Sequence, residues 1–335
     1  MNNPKIKFID LFCGLGGFRL AIQEIFKSNN CVFSCDFDTD SQKSYEANFG
    51  DKPFGDITKI HENEIPEHDI LFAGFPCQAF SICGDQKGFE DTRGTLFFDI
   101  ARILEAKRPK AFVLENVKQL VSHNDGKTFT RIIETLENLG YQVHHKILNA
   151  LDFGLPQKRE RVFIVGFREP TNFVWQLNKT LMKSLHEIVE KEVSEFYFAS
   201  EKIRENRRRS VENKIITDDL TIWHENKGGN ISPLPYSCAL RSGASYNYLL
   251  VNGERRLTMR EMLRLQGFPE DYKIVVGYGA MRKLAGNTVA IPCVTEVLRS
   301  VLNALEKPIE SENLNMQYSF IKTVHAEFAR GLELK

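Results

Sequence analysis

Six short apolar runs in the first half of the chain do most to limit its fold. KFIDLF (7–12), NCVFSC (30–35), DILFAG (69–74), KAFVLENV (110–117), YQVHHKIL (141–148) and ERVFIVGF (160–167) read as strands. Helix-like segments stand between them: FRLAIQEIFK (18–27), DSQKSYEANF (40–49), TLFFDIARILEAK (95–107) and KTFTRIIETLENL (127–139). In the third of these, Leu96, Ile100, Ile103 and Leu104 recur at helical spacing. Strand and helix in alternation predict an α/β fold with a doubly wound, mostly parallel sheet. After about residue 170 the rhythm stops. Charge runs, the GGN turn at 228–230, Pro233 and Pro235 predict a smaller, irregular domain. RLTMREMLRLQGFP (256–269) then opens on a capping box, Thr258 and Glu261, heading a short helix. VAIPCVTEVLRSVLNALEK (289–307) is apolar enough to pack back on the large domain.

The chain's 335 residues accommodate that plan, and 42% hydrophobic with 26% charged residues is the balance of a soluble globular protein. No apolar run reaches bilayer-crossing length, and MNNPKIKFIDLF lacks a signal-peptide pattern, which predicts a cytoplasmic protein with no membrane partner. Seven cysteines are scattered without a C-x-x-C pair, so reduced thiols are expected, with no disulfide framework and no metal. The 44 basic and 44 acidic residues balance, so there is no global pull toward nucleic acid. Charge is nonetheless segregated: KIRENRRRS (202–210), taken alone, reads as a solvated helix face.

Four constellations carry chemistry. DLFCGLGGF (10–18) is a glycine turn between strand and helix, with Arg19 where a dinucleotide fingerprint needs its third glycine. Asp36, twenty residues after Gly16, can hold a ribose diol, which points to an adenosine-bearing ligand without a pyrophosphate. A bare tight turn is the lesser alternative for the glycines alone, and Asp36 weakens it further. In AGFPCQAFS (73–81), Cys77 follows Pro76 at the carboxyl edge of a strand, where open α/β sheets bind ligands. A lone cysteine is more often an inert core residue, yet a thiolate in such a place is a nucleophile. Glu115, in LENV, follows Phe112, Val113 and Leu114, so partial desolvation raises its pKa; the bland reading is a carboxylate paired with a surface lysine. In QKRERVFIVGF (157–167), alternation puts Arg159 and Arg161 on one side, suited to an anion or a carbonyl oxygen; a polar strand entrance is the alternative.

Taken together, these motifs closely resemble the cytosine-C5 DNA methyltransferases of the bacterial restriction–modification type. The resemblance runs from Phe8 to about Arg168 and again from Arg256 to about Leu298, through DLFCGLGGF, GFPCQAFS, LENV, QKRERVFIVGF, RLTMREMLRLQGFP and GNTVAIP (286–292). It implies an S-adenosylmethionine-dependent methyltransferase domain over 1–178 and 283–335, with a target-recognition domain over 179–282. By the same match, Cys77 attacks C6 of a flipped cytosine, Glu115 holds N3 and the exocyclic amine, and Arg161 with Arg159 binds the O2 side and the phosphate-bearing backbone. S-adenosyl-L-methionine would be bound by Phe12, Gly14, Leu15, Gly17, Asp36, Phe37, Asp56, Ile57, Pro76, Leu96, Asn287 and Val289. Asp36 takes the ribose and Asp56 the adenine amine, with Ile57 against the ring. The loop from Gln78 to about Thr95 resembles the family's mobile loop that closes over DNA.

Double-stranded DNA is then the partner, bound by a monomer, with a cognate endonuclease encoded nearby but not a physical partner. One departure stands out: the family's Thr-Leu or Thr-Ile pair is matched here by Ala239-Leu240, predicting looser binding near the flipped nucleotide's phosphate. A tRNA cytosine methyltransferase of the same superfamily would carry a Cys-Phe-Thr tripeptide, which is absent. A catalytically dead DNA-binding relative would lack Cys77, Glu115 or Arg161, and a nicotinamide-dependent thiol enzyme would need the third glycine. The sequence names neither the DNA target nor a role for the tail after Pro308.

Overall fold

The computed structural model describes residues 6–26, 30–76, 96–214, 216 and 219–306. Cys77, the expected closing loop at 78–95 and the tail lie outside the described residues.

The large sheet has six strands in the order β2-β1-β3-β4-β7-β5. They are β1 (Phe8–Leu11), β2 (Cys31–Cys35), β3 (Ile70–Gly74), β4 (Ala111–Val117), β5 (Gln142–Asn149) and β7 (Glu160–Phe167). All six runs expected from sequence are strands. β2, β1, β3 and β4 are mutually parallel, while β7 runs antiparallel between β4 and β5. Alternation along each central strand divides its side chains between two apolar layers. Phe8, Phe72, Val113 and Val165 face one layer, whose helices are α1 (Gly17–Phe26) and α8 (Ile291–Glu306). Leu11, Leu71, Phe112 and Ile164 face the other, whose helices are α3 (Leu96–Lys107) and α4 (Lys127–Asn138). Burial on both faces explains why these strands read as continuous apolar runs. β5, at the edge, is largely exposed. α2 (Thr39–Phe49) is capped by the Asp38 carboxylate at its start and by Gly50, in left-handed backbone, at its end.

The chain passes from β1 outward to β2 and then returns across β1 to β3, so the strand order reverses between β1 and β3. A crevice opens there at the carboxyl ends of the strands.

The later region is more regular than its composition predicts. β8 (Ile222–Glu225), β9 (Ile231–Leu234) and β11 (Leu249–Val251) form an antiparallel sheet in the order β11-β8-β9. α5 (Glu201–Val211) contains the arginine run and packs on β9. Ile222, Leu240, Leu249 and Val251 join the same apolar layer as α8, so this region shares its core with the large sheet. A two-residue parallel ladder also ties them, β6 (Gln157–Lys158) with β10 (Ser237–Cys238). Buried Gln157 completes the seam: its amide donates to the Leu265 carbonyl at 2.7 Å and its oxygen accepts from Leu240 N at 3.0 Å.

α6 (Met259–Leu265) opens on the expected capping box. Glu261 also takes a bidentate pair from Arg255, at 2.7 and 2.9 Å, and the backbone N–H of Glu190 at 2.7 Å. α7 (Tyr278–Asn287), rich in glycine, is a helix that periodicity does not announce. With α8 it makes a stretch, Tyr278–Glu306, that meets the length and apolarity of a membrane span, but most of it is buried inside the fold, where α8 lies against α1.

Candidate active site

A cavity of about 270 Å³ occupies the switch-point crevice. Its walls are the carboxyl ends of β1 to β4, the start of antiparallel β7, and the end of α7 with the segment after it. After β1 comes the glycine turn, with Phe12 held in left-handed backbone at φ 56°, uncommon for a bulky residue and frequent at functional sites. A side chain at Gly17 would meet Val289 at 2.6 Å, so glycine is what lets the GNTVAIP segment close against the turn. After β2 comes Asp36. Its carboxylate accepts from Gly14 N and from Asp38 N, both at 2.9 Å. Burial raises the Asp36 pKa, and the two N–H groups oppose that rise. Phe37, beside it, is an exposed aromatic on the cavity wall.

After β3 come Phe75 and Pro76, and Asn116 at the end of β4 donates to the Phe75 carbonyl at 2.9 Å, joining the two strand ends. Next to it lies Glu115, 6% exposed. Arg161, from the antiparallel strand β7, brings its Nε to 3.1 Å from Glu115 Oε1. That approach is off the hydrogen-bonding direction and leaves Oε1 without an aligned donor. Burial pushes the Glu115 pKa up; the charges of Arg161 and Arg159 pull it back. A carboxyl that keeps its proton above the usual range, beside a fixed guanidinium, can donate to a ring nitrogen and bind a neighbouring carbonyl oxygen.

Arg159 differs from expectation. It lines the cavity, but its guanidinium is buried and donates to the carbonyls of Leu240, Gly286 and Thr288. Burial first, and Arg161 second, bring its pKa down to about 9. Its two terminal nitrogens are taken by three backbone carbonyls, and its buried Nε has no hydrogen-bond partner among the described residues.

Of the expected cofactor residues, Phe12, Gly14, Gly17, Asp36, Phe37, Pro76, Asn287 and Val289 line this cavity together. Leu15 does not: its side chain is fully buried in the core, and its carbonyl accepts from the Tyr272 hydroxyl at 2.9 Å. Ile57 is likewise core, and Leu96 begins α3 half-buried. Asp56 spends one oxygen capping a 3₁₀ turn, accepting from Thr58 N at 3.1 Å and Thr58 Oγ1 at 2.8 Å. Sequence reasoning missed Asn116 and the Lys283–Asp38 ion pair at the cavity wall. Asn116 sat inside a quoted motif; Lys283 carried no signal.

A second, wider cavity of about 620 Å³ shares Val117, Arg161, Gly286 and Asn287 with the first. Its far walls are Glu225–Lys227 and Arg241–Ser245. Any side chain at Gly286 would strike the backbone of Ser242 at 2.5 Å, so a glycine there lets the two regions meet. Among the described residues there is no cluster of three or more metal-ligating side chains. Burial pushes the thiols of Cys35 and Cys293 up to about 12, leaving both inert.

Among solved structures, the chain superposes on Spodoptera frugiperda DNMT2 with a TM-score of 0.69 at 18% identity, covering 89% of this chain and all of that one. Entamoeba histolytica methyltransferase EhMeth matches at 0.67 and 15% identity, over 90% of this chain and 99% of that one. The fold is thus the doubly wound α/β fold that these structures share. The family description "C-5 cytosine-specific DNA methylase" matches residues 6–303. Type II methyltransferase M.NgoBI of Neisseria gonorrhoeae is 54% identical over 301 residues, 89% of this chain and 93% of the relative. Type II methyltransferase M.HaeII of Haemophilus aegyptius is 53% identical over 304 residues, with the same coverage. The chain belongs to the C-5 cytosine-specific DNA methylase family.

Proposed function

We propose that this chain transfers a methyl group from S-adenosylmethionine to C5 of a cytosine flipped out of double-stranded DNA, as the modification enzyme of a type II restriction–modification system. The observation that carries the reading is the Glu115–Arg161 pair, set 3.1 Å apart in a cavity whose walls are the Asp36 turn on one side and Pro76, next to Cys77, on the other.

Asp36, held by two backbone N–H groups and desolvated, suits a ribose diol, and the Gly17–Val289 contact shapes the cradle beside it. S-adenosylmethionine bound there supplies an electrophilic methyl group on a sulfonium. Everything else falls to the chain. The Cys77 thiolate adds to C6, which makes C5 enamine-like and nucleophilic. Glu115 holds the N3 edge and donates its proton as charge builds there. Arg161 binds the O2 side. After methylation, loss of the C5 proton expels Cys77 and restores the ring. These atoms cannot be reached inside a duplex, so the cytosine must leave the stack.

Residues 1–178 and 283–335 then form the catalytic domain, and 179–282 the target-recognition domain. The enzyme acts as a monomer in the cytoplasm, its cognate endonuclease encoded nearby. With tritiated S-adenosylmethionine and mixed-sequence duplex DNA, label is expected at cytosine C5, abolished by Cys77→Ser. Transfer to N4 of cytosine, or to tRNA in preference to DNA, overturns the reading. A duplex carrying 5-fluorocytosine at the target is expected to trap a denaturant-stable adduct with wild type alone, since fluorine blocks the elimination.

A further inference from the structure

The arginine run of α5 is an internal brace. Arg204 and Arg208 both reach Glu254, at 3.1 and 2.9 Å, on the side of α5 that faces the β11–α6 connection. Arg209 alone of the run's four arginines is three-quarters exposed. Arg207 turns inward and is 4% exposed. Its Nη2 donates to Glu225 Oε2 at 2.6 Å and to the Asn247 carbonyl at 2.7 Å. Glu225 belongs to one wall of the wide cavity, and Asn247 stands just before Tyr248, which lines the other side with Arg241–Ser245. Glu225 ends β8 and begins the turn that carries Asn226 and Lys227; Asn247 lies two residues beyond the Arg241–Ser245 segment.

The turn is itself stiff. The Asn226 side chain accepts from Gly228 N at 2.9 Å and from Asn230 N at 3.0 Å, closing it on its own backbone. A stiff turn moves as a unit, so its separation from the facing segment is set where it joins the fold. One further backbone bond, Glu225 N to the Tyr248 carbonyl at 2.9 Å, acts at the same place. The exposed tip of the turn and exposed Arg241 bring positive charge to the mouth of the cavity, above the shared floor of Arg161 and Asn287.

We infer that Arg207 is a positioning residue for target recognition: by clamping Glu225 to Asn247 it fixes the gap between the two walls that grip duplex DNA, and with it the discrimination between target and near-target sequences. This rests on the DNA-methylating function proposed above. Both bonds leave the one Nη2, whose two protons the planar guanidinium fixes in direction, whereas a lysine ammonium would have to reach the same two acceptors on a flexible stem.

The test compares wild type, Arg207→Met and Arg207→Lys on the full chain, with cofactor affinity, kcat and KM for a target duplex, and kcat/KM for duplexes changed at one base pair. Misplacement of a recognition wall by about 1 Å is expected to raise the DNA KM of Arg207→Met roughly tenfold or more and to erode single-base discrimination by about tenfold. Cofactor affinity should stay within about twofold of wild type, and Arg207→Lys should fall between the two. Should Arg207→Met not fold, Arg207→Lys carries the test, with the same directions expected. Unchanged KM and discrimination in a folded variant overturn the inference, as does a loss of cofactor affinity equal to the loss on DNA. If wild type itself methylates no duplex at cytosine C5, the functional reading fails, and this inference fails with it; wild-type activity with an indifferent Arg207 removes the inference alone.

Discussion

The walls of the narrow cavity and the walls of the wide one are built on different principles. Around Asp36 and Glu115, position comes from strand ends. β1, β3 and β4 are buried on both faces, and the functional side chains sit where the strands run out, held by backbone N–H groups or by one amide such as Asn116. In the region that supplies the wide cavity's far walls, position comes from charged side chains that join separate segments: Arg207 to Glu225, Arg208 to Glu254, and Arg255 to both Glu261 and the Glu190 carbonyl. The first kind of wall tolerates little change in backbone. The second can be rebuilt by exchanging side chains, which suits the target-reading role proposed above.

The sharpest test of that contrast lies at Glu115. Glu115→Gln keeps the shape and removes the proton donor, so methyl transfer is expected to fall roughly 10²- to 10⁴-fold, with the DNA KM little changed. A loss confined to KM would place Glu115 among the binding residues instead.

On the other side, Arg255→Met leaves Glu261, whose side chain is fully buried, with no cation, and is expected to cost about 3–5 kcal/mol in chemical denaturation. A cost below about 1 kcal/mol, the range of exposed pairs, would show that this later region does not depend on its buried charges.

Asp36→Ala removes a desolvated carboxylate that the proposed reaction uses to hold the ribose. Affinity for S-adenosylmethionine, measured by calorimetry, should drop about 10- to 100-fold while DNA affinity stays put.

A smaller effect appears with pH. Burial holds Asp10 well above the usual carboxylate range, with neither oxygen hydrogen-bonded, and raises Glu115 as well. For such groups the folded state keeps a proton that the unfolded chain releases near pH ~4. Their contribution to stability is therefore full below that pH and is lost as pH rises through the raised folded values. Asp10→Asn should flatten the fall of the unfolding midpoint across that window; an unchanged slope would assign it to other groups. Least of all, Arg209→Ala should alter neither stability nor transfer, since that side chain is mostly exposed and its partner, Glu205, lies on its own helix.

The same contrast explains what could be read from residues alone. Strands such as ERVFIVGF are legible because burial on two faces writes an apolar run into the sequence, and Thr258 with Glu261 is legible because a capping box is local. The α5 brace is not: Arg207 and Glu225 are eighteen residues apart, and nothing periodic joins them. α7 is obscured by Gly277, Gly279 and Gly286, the last of which is needed for contact with Ser242 and not for the helix. Arg159 reads like Arg161 by alternation, and the two part ways because the carbonyls of Leu240, Gly286 and Thr288 close around one of them. Leu15 illustrates the reverse case, a motif residue whose side chain serves the core.

The seam at Gln157 sets where this enzyme could be recombined. Gln157 and Arg159, both in the catalytic half, hold the backbone of Leu240 from its two sides, one at N–H and one at C=O. A chimera that imports a foreign reading segment must therefore keep Ser237–Leu240 with its host and join the foreign segment beyond Leu240. A swap at that junction keeps the host's Gln157–Arg159 seam and its Glu225–Lys227 turn, and imports only the facing wall from Arg241 onward.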